Sequence, residues 1–194
     1  PTGVELKEQY SEVADYAALS DTWGQYLATS GEQEPVYEKQ GYYANNKVFD
    51  LFTLRFLHGS PEKALSEPNT MVLTQKLAEK YFPGENPIGQ TMIVDNKHTY
   101  RVTGVIETPP SNFHLDPAYL LSVASFRSDK GWDVQSNWDN YSARVYVLLH
   151  QHVNPDIFEK KIEGFLYQKA TDTESVLHLK NLADIHLQPS NGGS

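Results

Sequence analysis

Apolar and polar positions along this chain change period repeatedly, from alternation every second residue to helical spacing and back. Val4–Ser11 is short and charged and reads as a turn or two of helix. Tyr16–Ser20 and Trp23–Ala28 are strand-like, Thr29–Glu34 is turn-like, and Val36–Tyr43 alternates enough to form a further strand. Val48–Leu57 is the most apolar stretch. It fits a buried helical turn followed by a strand, and periodicity does not separate the two at this length. His58-Gly59-Ser60-Pro61 closes it with turn chemistry.

The clearest helical signal runs from Thr74 to Phe82. Thr74 suits the cap, Leu77, Ala78, Tyr81 and Phe82 share one face, and Pro83-Gly84 stops it. Thr91–Val94 and Thr99–Glu107 flank Asp95-Asn96-Lys97-His98 and predict a β-hairpin, with Asn96 fitted to a left-handed turn position. Pro109-Pro110 ends its second strand. Ala143–Leu149 predicts a strand. Asn154-Pro155 then opens a helix in the order cap, then proline, with Phe158, Ile162, Phe165 and Leu166 at helical spacing. Val176–Leu182 predicts a last strand. Alternating signals of this kind imply an α/β or α+β chain.

Composition narrows the function. The 194 residues carry 23 aromatic side chains (12 Tyr, 8 Phe, 3 Trp), enough for a real core. The formal net charge of −9 argues against nucleic acid as a partner and against adhesion to anionic lipid, since both need clustered cations. With no Cys, a disulfide scaffold, a thiolate zinc site and a Cys nucleophile are all excluded. No run approaches the ~18–20 apolar residues of a membrane span. The start at Pro1-Thr2-Gly3 and the end at Pro189–Ser194 read as places where a longer protein continues.

Chemistry-bearing patterns are sparse. His150-Gln151-His152 puts two imidazoles on one side of an extended chain, but supplies no third ligand; a polar strand end before Asn154 accounts for it better. His178 and His186 fall in strand-like sequence, and His58, His98 and His114 beside turns. The carboxylate pairs Glu32/Glu34 and Asp129/Asp133 resemble glycosidase acids only as any two acids do; solvated loop charge is the better account. Trp132, Trp138 and Tyr141, interleaved with Asn137, Asp139 and Asn140, fit either a sugar-stacking platform or rings packed on a core edge, and the second is favoured. GxGxxG, GxxxxGK[ST] and GxSxG patterns are absent. No catalytic, cofactor-binding or metal-binding residue is therefore assigned.

A series of segments carries a family resemblance. Gly41-Tyr42-Tyr43-Ala44-Asn45-Asn46-Lys47-Val48-Phe49-Asp50-Leu51-Phe52, then Phe56–Pro61, resembles the opening run of MacB-like periplasmic core domains. Ala64–Thr74, Leu77–Phe82 with Glu85–Gln90, Tyr100–Ile106, Ser111–Leu115 and Asp184–Leu187 continue it in register across roughly residues 40–190. Asn45-Asn46, Pro83 and Gln90 depart from the pattern, and the first 40 residues follow it only in layout. The flavour is that of permeases from Bacteroidetes-type bacteria.

The resemblance implies an α+β fold of two subdomains: a porter-like βαβ-type subdomain built from both chain ends, over residues 1–47 and 139–194, and an inserted sabre-like mixed α/β subdomain over 48–138. It implies a periplasmic loop of an inner-membrane FtsX/MacB-type ABC transporter permease, without catalysis or cofactor. Such a domain relays ATP-driven motion across the membrane and docks partners or cargo. Its partners would be a cytoplasmic ABC ATPase subunit, a second permease copy and a periplasmic adaptor. The alternative is an extracellular ligand- or glycan-binding domain.

Overall fold

The computed structural model describes residues 1–31, 34–110, 112–131, 138, 143–167, 169 and 176–184. In chain order its elements are α1 (Thr2–Gln9), β1 (Val13–Asp21), β2 (Gln25–Thr29), β3 (Val36–Glu38), β4 (Gly41–Ala44), α2 (Lys47–Leu51), β5 (Phe56–Gly59), β6 (Thr70–Thr74), α3 (Gln75–Tyr81), β7 (Thr91–Val94), β8 (His98–Ile106), β9 (Tyr119–Ser122), α4 (Phe126–Lys130), β10 (Ala143–Leu149) and α5 (Pro155–Ile162).

All ten strands join one mixed sheet in the order β10-β1-β4-β9-β6-β8-β7-β2-β3, with β5 also paired to β8. The β4–β9 and β6–β8 pairs are parallel and the others antiparallel. The middle strands are buried on both faces. In β4, β6 and β9, Tyr43, Met71, Leu73, Tyr119 and Leu121 enter one core cluster with α3 and Phe126, while Tyr42, Val72 and Leu120 enter another with Val48 and Phe49 of α2. Covered on two sides, such strands show runs of apolar residues instead of alternation. A third cluster joins Leu6 of α1, Val13 of β1 and Phe158 and Ile162 of α5, so both ends of the described chain meet there.

Local chemistry sets the boundaries. Thr74 Oγ1 accepts from the Leu77 amide and caps α3, and Asn154 Oδ1 accepts from Asp156 and Ile157 and caps α5. The β7–β8 turn has Asp95 and Asn96 both at positive φ (52° and 55°), the pairing whose twist matches the two strands, and the Lys97 amide closes it on the Val94 carbonyl. Gly41 is required where the Tyr119 ring lies over its backbone, since a Cβ would overlap the ring.

Two expectations are corrected. Val36–Tyr43 is two strands, because the chain changes partner at Lys39-Gln40: β3 pairs with β2, and β4 with β1 and β9. Val176–Leu182 forms no strand; Leu177 and Leu179 pack on the third cluster, and a 3-10 turn covers Leu182–Asp184. The ladder runs across the whole sheet: β4 pairs with β1 and β9, β2 with β7, and the 91–107 hairpin shares the sheet with β10.

Candidate functional site

β1 leads from the third cluster to a corner of the molecule that carries three exposed aromatic rings. Its Val13–Ser20 segment pairs with β10 and Leu19–Asp21 with β4. Directly after it the chain turns through Trp23, at φ 58°, and Gly24, at φ 81°. A non-glycine residue in the left-handed region is strained and persists only where surrounding contacts hold it. Here the Trp23 amide donates to Asp21 Oδ1 at 2.6 Å, and the Tyr37 hydroxyl donates to the Trp23 carbonyl at 2.9 Å. A Cβ on Gly24 would overlap the Tyr37 ring.

The indole so held is 62 % exposed. Tyr26 and Tyr37, a cross-strand pair on β2 and β3 with ring centroids 5.2 Å apart, are exposed beside it. Rigid, exposed aromatic clusters are typical of interaction surfaces. The Tyr26 carbonyl accepts from the Asp95 amide, and its amide donates to Asp95 Oδ1, so the hairpin turn braces this corner from behind.

Behind the corner, polar groups are buried and linked. Thr22 Oγ1, Gln25 Oε1 and the Tyr119 hydroxyl form one chain of hydrogen bonds at 3.2 and 3.3 Å. Gln25 Nε2 reaches the Tyr43 hydroxyl at 3.5 Å. Asp129 of α4, its side chain 2 % exposed, accepts from the Tyr43 hydroxyl at 2.7 Å and from the Tyr100 hydroxyl, and its other oxygen lies 3.1 Å from His98 Nδ1. Burial, reinforced by the Asp129 carboxylate, pushes both phenols far above the ordinary tyrosine range, so they stay protonated as donors. This cluster ties α4, β4 and β8 together. It is enclosed and structural, because its groups satisfy one another.

Of the histidines and acids singled out in the sequence, His98 and Asp129 meet in that enclosed cluster, and the other described ones are dispersed. His150 and His152 stack on each other, centroids 5.9 Å apart, and His178 pairs with Glu159 at 2.9 Å. His114 bonds the Tyr146 hydroxyl at 3.2 Å within a cluster of Phe52, Phe113 and Tyr146 rings. His58 lies on β5. Among the described residues no group of three or more His, Asp or Glu could hold a metal. Glu34 is exposed, while Glu32, Asp133 and His186 lie outside the described residues. Trp138 packs on Phe165 (5.9 Å) under Lys169 (5.0 Å), at the edge of the third cluster; Trp132 and Tyr141 lie outside the described residues. Among the described residues, the exposed aromatic side chains of this corner are Trp23, Tyr26 and Tyr37. The sequence signalled it only as rings spaced between polar residues in two strand-like runs.

The fold is a mixed sheet with few helices, one end built from both early and late chain, and a corner of exposed aromatic rings. The model of the MacB-like periplasmic core domain family matches residues 2–165, and the chain belongs to that family. It is the periplasmic domain of a MacB/FtsX-like ABC transporter permease, and domains of this family are not themselves enzymes. The match includes the first 40 residues, where motif resemblance was weakest.

Among solved structures the chain is similar to a domain of a putative permease protein from Porphyromonas gingivalis (18% identity, TM-score 0.70, covering 89% of this chain and 70% of that one). It is also similar to the periplasmic region of MacB from Actinobacillus actinomycetemcomitans (18%, 0.66, 86% and 72%). A third is the extracellular domain of the noncanonic ABC-type transporter YknZ from Gram-positive bacteria (16%, 0.63, 86% and 81%). The first agrees with the Bacteroidetes flavour of the motifs. A search of the curated proteins finds no significant match. Among the described residues no helix is long and apolar enough to cross a membrane.

Proposed function

We propose that this domain relays motion driven by ATP hydrolysis in a separate cytoplasmic ABC ATPase subunit, and that it docks a polypeptide partner or cargo through the Trp23–Tyr26–Tyr37 surface. The observation that carries the relay is the continuity of β1. One strand of nine residues, about 30 Å at ~3.3 Å per residue, links the cluster made by α1, β10 and α5 to the aromatic corner, paired to β10 over Val13–Ser20 and to β4 over Leu19–Asp21. A relay needs a body that moves without bending internally.

The division into a porter-like subdomain of both chain ends (1–47 and 139–194) and an inserted subdomain (48–138) belongs to this proposal. So do the second permease copy and the periplasmic adaptor as partners. The domain itself contributes no catalytic, cofactor or metal chemistry.

This domain has no Cys of its own to compete with introduced labels. Spin labels on Glu8→Cys and Lys97→Cys in the full-length permease with its ATPase report the span within one domain and the span between copies. With ATP, the first is expected to stay within about 2 Å and the second to change. A change within the domain, or none between copies, would overturn the relay.

A further inference from the structure

A cleft of about 300 Å³ lies where β8 meets the Ser60–Glu67 turn and the Ile88-Gly89 loop. That is the lower end of the size range of ligand sites. The chain as a whole is strongly acidic, yet Lys63 and Arg101 both line this cleft; Glu67 lines it too, and the Glu62 carboxylate, bonded to Ser60 Oγ at the rim, attracts Lys63 without pairing with it. Arg101 meets Glu67 through one contact at 3.2 Å, with both side chains more than half exposed, so the guanidinium keeps most of its five donors available. Lys63 forms no ion pair among the described residues.

The neutral donors at the rim are already committed: Ser60 Oγ to Glu62, Ser66 Oγ to the Lys63 carbonyl, and Thr103 Oγ1 to the Ala64 and Met71 carbonyls. What the cleft still offers is two cationic donors above an apolar floor of Ala64, Ile88 and Val102. A ligand that only accepts, with negative charge, matches that offer.

The frame is fixed before any ligand arrives. Asn46 grips the turn from both sides, accepting from the Leu65 amide at 2.6 Å and donating to the Glu62 carbonyl at 2.9 Å. Ser122 Oγ donates to the Leu65 carbonyl at 2.9 Å, and the Arg101 amide donates to the Asn69 carbonyl at 2.9 Å. Preorganisation of this kind lowers the entropy lost on binding.

We propose that this cleft binds a small ligand bearing an oxyanion head, held by Lys63 and Arg101 with its apolar part on Ile88. This site is independent of the relay and of the aromatic surface. The test is a titration of the isotope-labelled domain, followed by amide shifts, with inorganic phosphate, with the dipeptide Gly-Val and with Gly-Val amide. Saturable shifts at Lys63, Gly89 and Arg101 are expected with phosphate or with the free dipeptide, which tell a phosphate source from a carboxylate source, and none with the amide. K63Q and R101Q are each expected to weaken binding about tenfold, and K39Q, at the far edge of the sheet, to leave it unchanged. Shifts that never saturate, that survive K63Q and R101Q, or that fall equally with K39Q would overturn the site, as would no shift with either anion. A thermal melt of each variant separates lost binding from lost folding.

Discussion

The Tyr37 hydroxyl donates to the Trp23 carbonyl at 2.9 Å, so one exposed aromatic residue on an edge strand holds the strained backbone of another. The Trp23 backbone is thereby fixed while its side chain stays exposed. A partner that contacts it meets a backbone that is already ordered.

Replacing Gly24 with Ala should undo that arrangement. The position needs a positive φ, and the added methyl would overlap the Tyr37 ring. A loss of about 1–3 kcal/mol is expected in urea unfolding. Trp23→Ala should instead leave stability nearly unchanged, because the side chain buries little, while abolishing partner docking by the full-length permease in a pull-down with the purified adaptor. Unimpaired docking by the folded variant would remove this surface from the proposed function.

Asp129 is the buried acceptor shared by Tyr43 and Tyr100 and faces His98. Asp129→Ala leaves those donors without it, and a loss of about 3–5 kcal/mol is expected. Equilibrium denaturation measures it. A cost under 1 kcal/mol would mean that water replaces the carboxylate.

Asp15 joins α1 to α2: Lys7 lies 2.7 Å from one oxygen and Lys47 3.0 Å from the other. Burial pushes this carboxyl up, but the bonds to Lys7 and Lys47 outweigh it and hold it below the ordinary Asp range. A group lowered in the folded state contributes stability above its unfolded pKa and loses it as pH falls through the folded one. Asp15→Asn should therefore melt below the parent at pH 7, with the gap closing below about pH 4. A gap that is constant from pH 7 to pH 3 would contradict this.

The α5 cap gives a local test. Asn154→Ala removes the acceptor for the Asp156 and Ile157 amides and should cost about 1 kcal/mol, whereas Asn154→Asp should restore most of it. Thermal melting distinguishes the three.

Much of this architecture is legible without coordinates, wherever the determinant is local. The Thr74 and Asn154 caps, Pro83-Gly84 after α3 and the Asp95-Asn96 turn act over a few residues, and the elements they bound start where the spacing predicts them, though α5 ends at Ile162, short of Phe165 and Leu166. Local alternation likewise places β10, and the family shows in motifs that keep their register. Partner choice is another matter. β9 is four fully buried residues with no period to read, and it sits between β4 and β6 from distant parts of the chain. The break at Lys39-Gln40 exists only because two different strands claim the flanking residues. The same holds for the surfaces: Trp23 and Tyr37 are 14 positions apart, and Lys63 and Arg101 further still. Their neighbourhood arises from the sheet order, which is set by long-range burial and hydrogen bonding that no local pattern encodes.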